Sequence, residues 1–277
     1  MKRRIAGLMI AAAMAVTLAG CSGGGNPKSP AGTAEGGEAV SQAAGEKGTL
    51  TVGFDADFPP MGFMGSDGTY TGFDLELAQE AARRLGLKYV AQPVAWDAKD
   101  MELETGNIDC IWNGFTMTGR EDNYEWTDAY MSNMQVFVVA KDSGIASQAD
   151  LAGKVVECQR DSSAEAALKA APELTGTFKQ LLTTADYNSA FMDLEQGAVD
   201  AIAMDVIVAG YQLQQRNGDM VILEDSLSAE EYGVGFKKGN TELRDKVQGA
   251  LEEMAADGTL RSISEKWFGK DVTVIGK

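Results

Sequence analysis

The 277-residue sequence contains no histidine. That removes the commonest general base and the commonest metal-ligating side chain. Cysteine is almost as scarce, with Cys21, Cys110 and Cys158 the only three. Two scattered thiols without histidine make a zinc site a poor expectation, so no metal and no cofactor is expected. Cys110 and Cys158 fall on separate strand-like runs, and buried free thiols are expected rather than a bridge. Basic residues are few: 24 Lys and Arg face 41 Asp and Glu, for a formal net charge of −17. Such a balance argues against nucleic acid or an anionic membrane surface as a broad partner. It leaves room for an anionic group held by one arginine. Long apolar runs are also missing, since the N-terminal run over 5–19 falls short of the ~20 residues that span a bilayer.

That run nevertheless has a reading. Lys2, Arg3 and Arg4 precede it, and Leu18-Ala19-Gly20-Cys21 follows it. The arrangement resembles a bacterial lipoprotein signal, which is cut before a cysteine that then carries the lipid. Residues 1–20 are therefore expected to be a signal peptide and Cys21 the lipidated residue. Residues 21–47 are rich in Gly, Ala, Ser and Pro and nearly devoid of large apolar side chains. They cannot bury enough surface to offset ordering entropy, and a flexible tether is expected.

The remainder has ordinary globular composition, 44% hydrophobic and 23% charged over the whole chain. Its patterning alternates. Strands are expected over 49–54, 88–94 and 108–112, with helices between them. The first helix opens at Gly72-Phe73-Asp74, with Asp74 as its N-cap, and Leu75, Ala78, Ala82 and Leu85 recur at helical spacing before Gly86. The second ends near Gly106. A strand over 135–140 is followed by a second series: strands over 154–158, 178–182, 199–204 and 220–223, and helices over 162–171, 187–196 and 205–215. A strand over 232–236 and helices over 241–256 and 260–267 close the chain. Strand–helix alternation predicts parallel α/β sheets, and two series predict two lobes. Ligands of open α/β sheets sit beyond the carboxyl ends of the strands.

The stretch Cys110-Ile111-Trp112-Asn113-Gly114-Phe115-Thr116-Met117-Thr118-Gly119-Arg120 begins apolar and ends in glycines, hydroxyls and one arginine. Those donors suit a carboxylate, because a guanidinium fork matches two carboxylate oxygens. In the second series Gln159, Ser162 and Ser163 fall at a strand–helix junction, where free N–H groups favour a negative group. Asp205 falls at another such junction and offers an anion to an ammonium. Phe58, Trp96 and Phe115 are candidate walls for an apolar stem. A carboxylate reader and an ammonium reader together describe a free α-amino acid.

At this point the chain resembles the polar amino-acid substrate-binding proteins of ABC importers, the bacterial extracellular solute-binding proteins of family 3. The resemblance covers about residues 48–270. It rests on the run Thr51-Val52-Gly53-Phe54-Asp55-Ala56-Asp57-Phe58-Pro59-Pro60, on Gly72-Phe73-Asp74-Leu75, on Gly106-Asn107-Ile108-Asp109, and on residues 113–120. Leu151-Ala152-Gly153-Lys154, Gly197-Ala198-Val199-Asp200 and Ala256-Asp257-Gly258-Thr259 extend it. The resemblance implies a type II periplasmic-binding-protein fold, with one lobe over 48–137 plus 233–277 and the other over 138–232. It further implies that Arg120 holds an α-carboxylate with Thr116, Thr118 and the Ser163 region. Asp205 and the Gly114 carbonyl would hold the α-ammonium. Phe58 and Trp96 would wall the side-chain pocket, with Asp55 near. Asn113 stands where a serine is common, Asp161 where glycine is usual, and only Gly119 separates Thr118 from Arg120.

The expected protein is thus a monomeric, lipid-anchored receptor on the outer face of the cell membrane. It would deliver a free amino acid, polar or cystine, to an ABC permease, with no catalytic residues of its own. Two alternatives remain. One is a prephenate or arogenate dehydratase-like enzyme on the same fold, with Glu157 or Glu165 as general acid. The other is a ligand-sensing module, which usually carries a transmembrane signalling region.

Overall fold

The computed structural model describes residues 48–216 and 218–277. The expected signal, lipidated Cys21 and tether lie outside the described residues. In chain order, β1 (Thr49–Phe54) leads to three short strands, β2 (Asp57–Phe58), β3 (Gly62–Met64) and β4 (Tyr70–Thr71). Then come α1 (Phe73–Arg84), β5 (Lys88–Pro93), a 3-10 turn at Trp96–Ala98 and α2 (Lys99–Thr105). β6 (Cys110–Ile111), β7 (Glu125–Trp126) and β8 (Met131–Ala140) follow. The second series is β9 (Val155–Gln159), α3 (Ser163–Ala170), α4 (Pro172–Thr175), β10 (Gln180–Thr184), α5 (Tyr187–Glu195), β11 (Ala201–Asp205), α6 (Val206–Gln215) and β12 (Met220–Ile222). The chain ends with β13 (Ser228–Tyr232), β14 (Gly235–Phe236), α7 (Thr241–Asp257) and α8 (Thr259–Phe268).

The strands form two main sheets with the same parallel kernel. The first runs β5-β1-β6-β14-β7, and β1 is parallel to both β5 and β6. The second runs β10-β9-β11-β8-β12, with β9 parallel to β10 and β11, and β13 paired to β8. In each, the first strand of the unit sits between the second and third. That order places a switch point, and so a crevice, at the carboxyl end of the first strand. The expected two-lobe α/β architecture is the one observed.

Two crossing strands join the lobes. β8 and β13 pair antiparallel from Met131↔Tyr232 to Gln135↔Ser228. The lobe boundary expected at 137/138 falls inside β8, which belongs to the second sheet from Met131 onward. The expected strand over 232–236 is two strands in two sheets, because the chain changes lobe between Tyr232 and Gly235. Gly233 and Gly235 permit that passage: a Cβ on them would lie 2.5 Å from Met117 Sδ and 2.8 Å from the Phe115 ring.

Local sequence accounts for α1. Phe73, Leu77, Ala78, Ala81 and Ala82 are fully buried on one stripe. Asp74 and Glu76 sit in the first turn and Arg83 and Arg84 in the last, in favourable accord with the helix dipole. Gly86, with φ 67°, follows the end of the helix. Asp74 is not the N-cap expected for it. Gly72 caps, with φ 146°, because a Cβ there would meet the Met61 carbonyl oxygen at 2.2 Å. Asp74 turns inward instead.

The expected strand over 108–112 is reduced to Cys110–Ile111. Single bonds from Asp109 N to Thr51 O and from Trp112 N to Gly53 O carry its alignment with β1 further. Cys110 and Cys158 are buried free thiols, one in each main sheet. Among the described residues no helix is long and apolar enough to cross a membrane.

Candidate functional site

The carboxyl ends of the parallel strands deliver the candidate residues. β1 ends before Asp55, β5 before Trp96, β6 before the loop 112–120, β9 at Gln159 and β11 at Asp205. Phe58, Trp96, Gly114, Thr116 and Arg120 from the first lobe line one cavity with Gln159, Ser162, Ser163 and Asp205 from the second. That space is closed to about 10 Å³, room for about one water. Admitting anything larger requires the lobes to part.

Contacts across the cleft hold this closed form. Gln159 Nε2 donates to Asp55 Oδ2 at 2.6 Å, and Asn188 Nδ2 to Asp57 Oδ1 at 2.7 Å. Arg160 pairs with Asp97 at 3.0 Å. The Phe58 and Tyr187 rings lie 5.9 Å apart. Arg120 donates to the Asp161 carbonyl at 3.3 Å, and Lys99 Nζ reaches the same oxygen at 3.5 Å. Burial lowers the Lys99 pKa.

Arg120 is positioned by its surroundings. Its guanidinium lies 5.3 Å from the centre of the Phe115 ring, and it also donates to the Thr116 carbonyl at 3.4 Å. Among the described residues it makes no ion pair, so its fork stays available to an anion entering the cleft. Asp161 adopts φ 58° at the turn before α3, a left-handed conformation unusual outside glycine.

The two serines divide their tasks. Ser162 is the N-cap of α3, its hydroxyl accepting from Glu165 N at 3.1 Å. Ser163, the first helical residue, bonds Gln135 Nε2 at 2.9 Å through its hydroxyl.

Asp205 occupies the N-cap position of α6 but makes no capping bond. Its Oδ1 instead accepts from Tyr232 O–H at 2.6 Å and from Asn133 Nδ2 and Gln135 Nε2, both at 2.8 Å. Burial, and then the charge of nearby Glu230, raise its carboxyl well above the usual range. Glu230 Oε1 accepts from the same two amides at 2.6 and 2.8 Å, and from Thr116 Oγ1 at 3.0 Å.

Four expected residues stand away from the inner cavity. Asp55 reaches it only through Gln159, and burial pushes its carboxyl up to about 6. Asn113 is buried, with Oδ1 lacking a protein partner. Phe115 is a core residue rather than a ligand wall, fully buried among Trp96, Tyr124 and Trp126 at ring distances of 5.6, 5.1 and 4.9 Å. Thr118 lines flanking grooves and accepts from Glu231 N at 3.3 Å. Neither Glu157 nor Glu165 lines the inner cavity. Burial raises Glu157 to about 7, and Glu165 bonds Asp161 N and pairs with Lys169.

Sequence reasoning missed Asn133, Gln135, Glu230, Tyr232 and the support from Asp74. A signal existed. Asn133 and Gln135 are two apart, as are Glu230 and Tyr232, so each pair shares a strand face. A polar pair repeated at that spacing on two facing strands marks a buried network. The expected strands began at 135 and 232 and so cut both pairs.

Comparison with known proteins shows the family. The family model described as "Bacterial extracellular solute-binding proteins, family 3" matches residues 50–270. The L-cystine-binding protein TcyJ of Escherichia coli (strain K12) is 35% identical over 231 residues, covering 82% of this chain and 85% of that protein. The L-cystine-binding protein TcyA of Bacillus subtilis (strain 168) is 32% identical over 99% of this chain and 100% of its own length. Among solved structures, an ABC uptake transporter substrate-binding protein from Streptococcus pneumoniae with bound histidine superposes with a TM-score of 0.80. It is 36% identical, over 84% of this chain and 97% of that one.

Proposed function

As a member of the bacterial extracellular solute-binding proteins of family 3, a polar amino-acid-binding group, this chain captures, we propose, a free α-amino acid between its lobes and delivers it to an ABC permease. One observation carries the reading. Arg120 from the first lobe and Asp205 from the second line the same closed cavity. The guanidinium would exchange the Asp161 carbonyl for the ligand carboxylate. The Asp205 carboxyl and the Gly114 carbonyl would take the ammonium. Closure then shifts an open–closed population, and the permease reads the closed form. The protein performs no chemistry of its own.

Phe58 and Trp96 line the cavity and would wall the ligand side chain, and Asp55 lies behind Gln159. When Gln159 withdraws, Asp55 offers an anion to the far end of the ligand. That favours a ligand whose side chain ends in a cation or a donor. L-cystine meets the requirement with its second ammonium, and two relatives are described as L-cystine-binding proteins. Cys21 would carry the lipid that keeps the monomer at the outer face of the membrane, on the tether of residues 21–47.

Titration calorimetry with L-cystine, L-arginine, L-histidine and L-glutamine tests this reading. One-to-one binding is expected, tightest for L-cystine. Absence of heat with every member of the panel would overturn it. Replacing Cys21 by alanine is expected to release the protein from the membrane fraction; retention there would contradict lipid anchoring at that residue.

A further inference from the structure

The amide pair Asn133 and Gln135 binds two carboxyl groups, and an α-ammonium needs only one. Glu230 projects from β13, directly opposite Asn133 on β8, and is 6% exposed. Each amide nitrogen donates to both Asp205 Oδ1 and Glu230 Oε1. The two acceptor oxygens therefore lie within the reach of one NH2 group.

We propose that Glu230 is the second carboxylate of the ammonium subsite, that it and Asp205 hold one proton between them before ligand enters, and that the ligand's α-ammonium displaces that proton to solvent. The inference rests on the amino-acid-binding reading above and deepens it. Glu230 thereby becomes a residue that selects for a ligand amine.

The charge balance supports it. Neutral amides and hydroxyls surround the pair. β8 presents Asn133 and Gln135, α3 presents Ser163, and the loop after β6 presents Thr116. The titratable neighbours are Tyr232 on β13, with Tyr130 beside it, and Tyr187 on α5, all held protonated by burial. Arg120 shares one cavity with Asp205 and a neighbouring one with Glu230, but its bonds go to the Thr116 and Asp161 carbonyls. Two adjacent buried carboxylates without a cation cannot both stay ionised. Either a proton or an ammonium must complete the site. Glu230 also lines a side cavity of about 220 Å³ next to the inner one.

Ligand binding favours the ionised Asp205, whose carboxyl burial raises well above the usual range, so affinity rises with pH until that carboxyl ionises without ligand. The test is calorimetry in buffers of different ionisation enthalpy, with the amino acid that binds wild type as probe. Wild type is expected to release about one proton per ligand below the pH at which that carboxyl ionises. Glu230→Gln is expected to release much less, with a flatter pH dependence and about tenfold weaker binding. A wild type that binds but releases no proton overturns the inference, as does a Glu230→Gln variant that matches wild type in proton release and affinity. Should Glu230→Gln fail to fold, the wild-type proton count alone decides. A wild type that binds no amino acid instead overturns the functional reading beneath.

Discussion

Gly114 donates its backbone N–H to the Asp74 carboxylate over 2.5 Å, although forty positions separate the two residues. Tyr130 O–H donates to the same oxygen at 2.8 Å, and the other oxygen of Asp74 has no protein partner. A helix residue thus fixes the loop whose Gly114 lines the inner cavity. Asp74 is fully buried, and that burial pushes its carboxyl up to about 7.

Asp74 should therefore make stability depend on pH. Between the ordinary carboxyl range and about 7, the folded chain keeps a proton that the unfolded chain has released. Its contribution falls as pH rises through that window, by ~1.4 kcal/mol for each step of one in pH. Asp55 and Glu157 act in the same sense, while the stability from Glu80, held low by Arg83 and Arg84, is lost only as pH falls below the ordinary carboxyl range. The readout is therefore a difference. Asp74→Asn should lose less stability than wild type between pH 5 and pH 8, measured by urea unfolding. Asp74→Ala should cost roughly 2–5 kcal/mol, because two buried donors lose their acceptor. Parallel pH curves for wild type and Asp74→Asn would refute this.

Asp205→Asn should weaken α-amino acids by at least about tenfold. It should leave analogues that lack the amine nearly unaffected. Equal loss for both, in competition titrations, would mean that Asp205 serves the architecture of the site and not the ammonium.

Two glycines distinguish steric need from conformational need. Gly72→Ala drives a Cβ to 2.2 Å from the Met61 carbonyl, and a loss of about 3 kcal/mol or more is expected. Gly86, also at positive φ, has nothing within 4 Å of its would-be Cβ, so Gly86→Ala should cost only about 1–2 kcal/mol. Urea midpoints at unchanged m-value would show the ranking.

The closed form is held partly by exposed contacts. Removing the Arg160–Asp97 pair should shift the open–closed ratio by only a few fold, since exposed pairs contribute about 0.2–1 kcal/mol. Gln159→Ala should act more strongly, because it leaves the buried Asp55 carboxylate without its inter-lobe donor. Small-angle scattering without ligand should report a larger radius of gyration for Gln159→Ala than for Arg160→Ala. The reverse order would contradict the greater weight given to the buried Gln159–Asp55 bond.

Much of this architecture was legible because parallel α/β units announce themselves. α1 was readable from apolar spacing and Gly86, and the end of α2 from Gly106. Arg120, Ser162 and Asp205 were readable because each follows a strand end. What failed depended on tertiary context. Asp74 has the sequence of a cap, yet Gly72 takes that role because no Cβ fits beside Met61. Phe115 reads as a ligand wall, yet the rings of Trp96, Tyr124 and Trp126 enclose it. Glu230 and Asn133 lie 97 positions apart, and only the pairing of the two crossing strands brings them together.

The central claim is that Arg120 and Asp205 form one amino-acid site. A thermal-shift screen of wild type and Arg120→Ala against the twenty amino acids and L-cystine tests it most directly. A ligand at one hundred times its dissociation constant adds about 2.7 kcal/mol, which raises Tm by roughly 5–10 °C for a chain of this size. The expected result is such a rise for one or a few amino acids in wild type, lost in Arg120→Ala at the same concentrations. No rise with any amino acid, or an equal rise in both proteins, would contradict the account.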